Sequence, residues 1–212
     1  ISRIEQLRDK VNADPSLVER IRYKYGIKNV TGLNLLPLVR FTDPFDIITH
    51  LLVGSEGTLA FGSQFTMRTG HLYPQSASAM LYFRTMADAC NAVKAMKSQP
   101  VFSAEILDRK SLSSVGDTTG PDLTAVLTET KADTPEELQA NILAIEKALL
   151  PFSLYVPAHF TSNPQEYARY WAIRSGIFPS VGGTRPMGTT VIIEDIAFHI
   201  ENLTEATLDL EQ

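Results

Sequence analysis

A single cysteine, Cys90, stands among 212 residues. That excludes an intramolecular disulfide and any cysteine-held metal or iron–sulfur cluster within the chain. Cys90 lies beside Ala89 and Ala92 in a helical pattern and reads as a small buried hydrophobe. Thiol usage of this kind points to a reducing, cytoplasmic compartment. The four histidines, at 50, 71, 159 and 199, form no HxH or HExxH pair, so no metal site is expected. No apolar run approaches the roughly 20 residues needed to cross a bilayer, and no signal peptide is visible. Positive charge is also short, with 19 Lys and Arg against 24 Asp and Glu and a net charge of -5. A nucleic-acid partner is therefore not expected. There is no GxGxxG, no Walker motif and no GxSxG elbow.

What is present is an ordinary globular composition, 44% hydrophobic and 20% charged. One stretch organises the reading: His50-Leu51-Leu52-Val53-Gly54-Ser55-Glu56-Gly57-Thr58-Leu59-Ala60-Phe61. A helical apolar run (Phe45, Ile47, Ile48, Leu51, Leu52) meets two glycines three apart, and residues 58–67 leave with strand character. The glycines permit positive φ and close approach of a flat ligand, while turn N–H groups can form an anion nest. A plain helix-to-strand turn with a C-terminal glycine accounts for the same spacing. His50, on the preceding helix, reads as a satisfied structural residue.

Helical periodicity covers residues 2–12 and 15–25, with Pro15 in the first turn of the second helix. Arg20, Arg22, Lys24 and Lys28 read as a solvated basic face. Residues 29–42 suit a packed loop, and Asp43-Pro44 caps a helix to about Leu52. From residue 77 the pattern changes. Residues 77–83 read as a strand, 85–96 as a helix capped by Thr85, 102–107 as a strand and 111–120 as a polar loop. Residues 123–130 alternate as a strand, and Thr134-Pro135-Glu136-Glu137 opens a helix. Residues 152–156 read as a further strand, Asn163-Pro164 opens a helix to about Ile177, and 189–198 reads as a strong strand. A last helix covers 203–210. The order β-α-β-β-α-β from 77 to 156 is the ferredoxin-like pattern, an antiparallel sheet with helices on one face. The fold class is α+β, with a boundary near Gly70. The chain opens on a helical pattern without an initiator Met and closes inside another, so it is expected to be part of a longer polypeptide.

Val53-Gly54-Ser55-Glu56-Gly57-Thr58-Leu59 resembles the VGSEGTLG signature of FAD-linked oxidases and dehydrogenases of the vanillyl-alcohol oxidase type. That group includes D-lactate and D-2-hydroxyglutarate dehydrogenases. Lys28-Asn29-Val30-Thr31-Gly32-Leu33-Asn34 and Asp43-Pro44-Phe45-Asp46-Ile47-Ile48 also fit, and are similar to large bacterial members fused to an iron–sulfur domain. The resemblance implies that residues 1–70 are the second part of a FAD-binding (PCMH-type) domain. Residues 71–212 would be a ferredoxin-like cap or substrate domain, cut at its end. It implies FAD contacts from Gly54, Ser55, Glu56, Gly57, Thr58 and Leu59, with the other half of the FAD site outside the chain. The implied reaction is oxidation of a D-2-hydroxy acid by hydride transfer to flavin. Catalytic histidines, a 4Fe–4S centre and the electron acceptor would lie elsewhere in the parent, so this piece alone is expected to be inactive. Homo-oligomerisation and peripheral contact with the inner membrane stay open.

Two arginines are the substrate-binding candidates. Tyr170-Trp171-Ala172-Ile173-Arg174-Ser175-Gly176-Ile177 resembles the family's W-x-x-R-x-x-I segment, whose arginine grips the substrate carboxylate with a bidentate fork. A surface arginine paired with Glu166 or Asp195 is the competing account. Arg185 lies in the glycine-rich Gly182-Gly183-Thr184-Arg185-Pro186-Met187-Gly188. Glu194-Asp195-Ile196-Ala197-Phe198 matches the family's Y-D-x-S strand, but Ile193 replaces a lysine and His199 a proline. Arg185 or His199 is expected to compensate. A ferredoxin-like binding or interaction module without redox activity remains the alternative.

Overall fold

The computed structural model describes every residue except Thr31, Glu56, Thr118, residues 191–195, Glu211 and Gln212, and leaves aside the Thr184 side chain. The chain forms two compact units, Ile1–Thr69 with Glu194–His199, and Gly70–Ile193 with Ile200–Gln212.

The first unit contains α1 (Ser2–Asn12), α2 (Pro15–Lys24), α3 (Pro37–Arg40) and α4 (Pro44–Leu52). Local chemistry sets the starts. The Asp14 carboxylate accepts from the N–H groups of Ser16 and Leu17, and Asp43 accepts from those of Phe45 and Asp46. The Ser16 hydroxyl, then the Leu17 amide, hold the Asp14 carboxyl below its usual range. Residues 29–42, expected as loop, include the single turn of α3, which begins at Pro37. Each helix gives one residue to the core: Val11, Ile21, Leu38 and Ile47. Burying four such side chains contributes about 1.5–3 kcal/mol apiece.

Residues 58–67 form no strand, contrary to the apolar pattern. A strand needs a hydrogen-bonded neighbour, and every strand pairing among the described residues lies in the second unit. Phe61, Phe65 and Met67 are exposed as a result.

The second unit runs β1 (Gln75–Phe83), α5 (Met86–Met96), β2 (Ser103–Leu107), α6 (Arg109–Ser114), β3 (Thr124–Ala132), α7 (Pro135–Leu149), α8 (Pro164–Thr184), a 3-10 turn (Ile200–Asn202) and α9 (Leu203–Leu210). The sheet order is β1-β3-β2, antiparallel throughout. It is an α+β fold with the split β-α-β arrangement that the sequence order implies. The second helices start where their caps place them, with Thr85 accepting from Asp88 N–H and Thr134 from Glu137 N–H.

Three expectations change. First, helices cover both faces of the sheet. Ala79, Leu81, Phe83 and Val126 pack on Ala89, Ala92 and Met96 of α5 and Ile145 and Leu149 of α7. Met80, Tyr82, Ala125 and Leu127 face Leu112 of α6 and Tyr170, Trp171, Ile173 and Ile177 of α8. Burial on both sides explains why the second half of β1, residues 79–83, reads as an unbroken apolar run rather than an alternating one. Second, residues 111–120 are not all loop. Asp108 accepts from the Ser111 N–H and starts α6.

Third, residues 152–156 form no strand. The free edge of β1 is touched instead at two points, a Ser78–Thr161 bridge and a Tyr155 N–H bond to the Tyr82 carbonyl at 2.8 Å. The register of that bridge places residue 157 opposite Tyr82. Residue 157 is proline and has no N–H to give, so Tyr155 makes the bond and the segment bulges. This is the edge where a fourth strand would complete the ferredoxin-like order.

At the C-terminal end, α8 extends past Ile177 to Thr184, so Gly182 and Gly183 are helical rather than loop. Of the strand expected over 189–198, residues 191–195 lie outside the described set, and residues 189–190 and 196–198 are not strand. The α9 helix packs on α5, where Thr204 donates to the Asn91 side chain at 2.9 Å and Lys97 pairs with Glu201.

Candidate functional site

In the first unit, α4 ends at Leu52, Val53 is extended, and Gly54, Ser55, Gly57 and Thr58 lie in turns or bends. Gly54 and Gly57 adopt φ of 83° and 75°, a region L side chains avoid. Apart from its chain neighbours, no described atom lies within 4 Å of the point where a Cβ would sit on either glycine, so the turn is open on its outer side. The Ser55 N–H bonds to the Leu52 carbonyl, and the Thr58 N–H and hydroxyl both bond to the Ser55 carbonyl, at 3.0 and 2.6 Å. Ser55 is buried, whereas Thr58 and Leu59 are exposed. Glu56 lies outside the described residues. His50 is a structural residue: its Nδ1 contacts the Asp46 carbonyl at 2.7 Å and its ring stacks on Phe41 at 4.2 Å.

In the second unit, one stripe of α8 is fastened to the sheet by polar contacts. Tyr167 donates its hydroxyl to the Glu129 carboxylate, the Trp171 indole N–H donates to Ser78 Oγ at 3.2 Å, and Arg174 Nε donates to Glu105 Oε2 at 2.5 Å. The spacing 167, 171, 174 is that of one helix face. Glu129 is 3% exposed, and its carboxylate is held by the Tyr167 hydroxyl, by Ser103 Oγ and by Lys131, the last two at 3.4 Å. Arg174 therefore has a carboxylate partner, Glu105, which is neither Glu166 nor Asp195. Its Nη atoms make no hydrogen bond among the described residues.

Arg185 is the first residue past α8, so the expected glycine loop shrinks to residues 185–190. It caps the end of α8, donating from Nε to the Thr189 carbonyl at 2.9 Å and from Nη1 to the Gly182 carbonyl. The structure does not bring Arg174 and Arg185 onto a common partner. Ile193 and Asp195 lie outside the described residues, and His199 belongs to the first unit, where its ring lies 4.6 Å from that of Tyr23.

A cavity of about 400 Å³ opens on the α8 side of the sheet. Its walls come from Met80 and Tyr82 of β1, the loop after α6, residues 156–159 and Arg169, Tyr170 and Ile173 of α8. The Tyr82 hydroxyl donates to Asp117 Oδ2 at 2.7 Å, and the Thr119 N–H to Asp117 Oδ1 at 2.8 Å. Burial, more than the neighbouring Asp117 charge, pushes the Tyr82 hydroxyl up to about 12, so it stays a donor at neutral pH. His159 lies 3.5 Å from Glu166. Tyr170 and Ile173 belong to the segment that the sequence singled out for Arg174, but Tyr82, Asp117 and Arg169 did not stand out. The only local signal was the Asp117-x-Thr119 spacing of an Asx turn.

Among the described residues, no three His, Cys, Asp or Glu side chains cluster as a metal site, and no helix is long and apolar enough to cross a membrane. The family described as FAD linked oxidases, C-terminal domain, matches residues 73–212. The chain belongs to the FAD-linked oxidase family. The second unit accordingly falls within the C-terminal domain of a flavin-dependent oxidoreductase. A search of curated proteins finds no match.

Family membership implies FAD, and the open glycine turn fits one part of a flavin contact. Its backbone is unobstructed by side chains at two positions, and exposed Leu59 and Phe61 follow it.

Proposed function

We propose that the chain forms the second part of a FAD-binding domain and the cap domain of a dehydrogenase acting on a D-2-hydroxy acid. D-2-hydroxyglutarate and D-lactate are the leading substrates, and a 2-oxo acid is the product. The observation that carries the reading is the doubly positive-φ glycine turn, open on its outer side, in a chain of the FAD-linked oxidase family. FAD, when bound, supplies the acceptor for the hydride that leaves C2. Gly54 and Gly57 let the backbone lie against a planar group, and Ser55, Glu56, Thr58 and Leu59 complete the contact in this reading. Arg174 offers its Nη atoms to the substrate carboxylate while Glu105 holds Nε and fixes the direction of the fork. Arg185 takes the second carboxylate of a dicarboxylic substrate after leaving its backbone carbonyls. The base that removes the hydroxyl proton, and a 4Fe–4S centre passing electrons onward, are assigned to parts outside residues 1–212.

Steady-state kinetics of the flavin-loaded full-length protein test the assignment. Arg174→Met is expected to raise KM and to lower kcat/KM about thirtyfold, the equivalent of ~2 kcal/mol of lost transition-state binding. An unchanged KM removes Arg174 from the substrate site.

A further inference from the structure

Arg169 and Asp117 line the same cavity with opposite charges, yet no ion pair joins them among the described residues. Asp117 is not free to move toward the arginine. Its two carboxylate oxygens are fixed separately, Oδ2 by the Tyr82 hydroxyl and Oδ1 by the Thr119 N–H. Glu166, the nearest acid in sequence to Arg169, faces His159 instead, and the Thr161 and His159 side chains hold its carboxyl below the usual range. Arg169 makes no hydrogen bond to protein among the described residues. Met80, Val156, Pro157 and Ile173 give the cavity its apolar lining, and of its other polar side chains Tyr82 is bonded to Asp117 and His159 faces Glu166.

A concave site with an unneutralised guanidinium at one place and an anchored carboxylate at another selects for a bifunctional molecule. A carboxylate seats on the guanidinium fork, and a hydroxyl or ammonium donates to the remaining lone pairs of Asp117. We infer that this cavity binds a small organic acid through Arg169, with a hydrogen-bond-donating group of the same molecule directed to Asp117. The inference does not rest on the oxidation reading, because every residue it uses lies between positions 80 and 173 and none is assigned there to flavin or substrate. Tyr82 positions Asp117, and its hydroxyl remains protonated through the neutral range because burial pushes it up to about 12.

The test is a heteronuclear NMR titration of the 212-residue chain with 3-hydroxybutyrate, butyrate and 1,3-butanediol as probes. These acids and the diol differ only in which end can be recognised. The 3-hydroxybutyrate anion is expected to shift amides of residues 80–82, 115–117, 156–159 and 169–173, and to bind more tightly than butyrate. The diol is expected to leave the cavity unshifted. Arg169→Gln, a change on an exposed helix position, should weaken 3-hydroxybutyrate at least tenfold while leaving the free spectrum elsewhere unchanged. Asp117→Asn should bring 3-hydroxybutyrate down to the affinity of butyrate. Shifts confined to other residues, no shifts at all, or equal affinity of wild type and Arg169→Gln would each overturn the inference. Flavin content enters none of these readouts, so failure here leaves the oxidation reading standing.

Discussion

Removing the Tyr167 hydroxyl puts the fastening of α8 to the sheet to a quantitative test. Glu129 sits in the central strand with 3% exposure, and three donors approach its carboxylate. Tyr167 donates its hydroxyl directly, whereas Ser103 Oγ and Lys131 Nζ stand at 3.4 Å, near the outer limit of useful geometry. Tyr167→Phe therefore takes from a buried carboxylate the one donor that is not at that limit. Hydrogen bonds to charged groups contribute about 1.5–3 kcal/mol, and that is the expected loss. The assay is urea unfolding followed by the fluorescence of Trp171, the sole tryptophan, which lies one helical turn from Tyr167. Glu129→Gln supplies the control. A neutral amide still accepts from Tyr167, so Tyr167→Phe in that background should cost only about 0.5–1.5 kcal/mol. The difference between the two costs, of order 1 kcal/mol, is the part due to the charge. A loss under about 0.5 kcal/mol, or the same loss in both backgrounds, would refute the reasoning.

Two further outcomes follow from local geometry. The Tyr82 hydroxyl is raised by burial from 10.0 to about 12. Its stabilisation is thus complete below pH 10 and is lost as pH rises toward 12. At ~1.36 kcal/mol per pH unit this amounts to at most ~2.7 kcal/mol. Tyr82→Phe should flatten the alkaline fall of the melting temperature, and an identical fall in the variant would contradict the assignment. Gly57→Ala meets no atom but must adopt φ near 75°. It should destabilise the first unit by about 1–2 kcal/mol, read as faster hydrogen exchange in α1 to α4, with the second unit unaffected.

The parts legible in the sequence were those set by neighbours along the chain. Asp43-Pro44, Thr134-Pro135 and Asn163-Pro164 mark helix starts because a cap needs only N–H groups two or three residues on. The strand at 152–156 failed for the opposite reason. Its pairing depends on a register fixed at Ser78 and Thr161, which puts Pro157 at the position that needed a donor. The helices on both faces were equally hidden, because an unbroken apolar strand does not say what covers its second side. In the candidate site, the glycines declared their conformation but Arg174 did not declare Glu105, which is 69 positions away in sequence. Arg185 looked like a loop residue because Gly182-Gly183 is a poor helix former, yet α8 runs through it. The Arg169 cavity joins segments from β1 to α8, and no single stretch carries its pattern.

The most direct measurement uses the full-length protein, purified anaerobically without added cofactor. Its visible spectrum is recorded before and after D-lactate, D-2-hydroxyglutarate and their L-enantiomers are added in turn. The account predicts a bound-flavin absorption band that bleaches with one D-acid and not with its enantiomer. A colourless protein that added FAD does not reconstitute would contradict it, and the chain would then be a ferredoxin-like binding module.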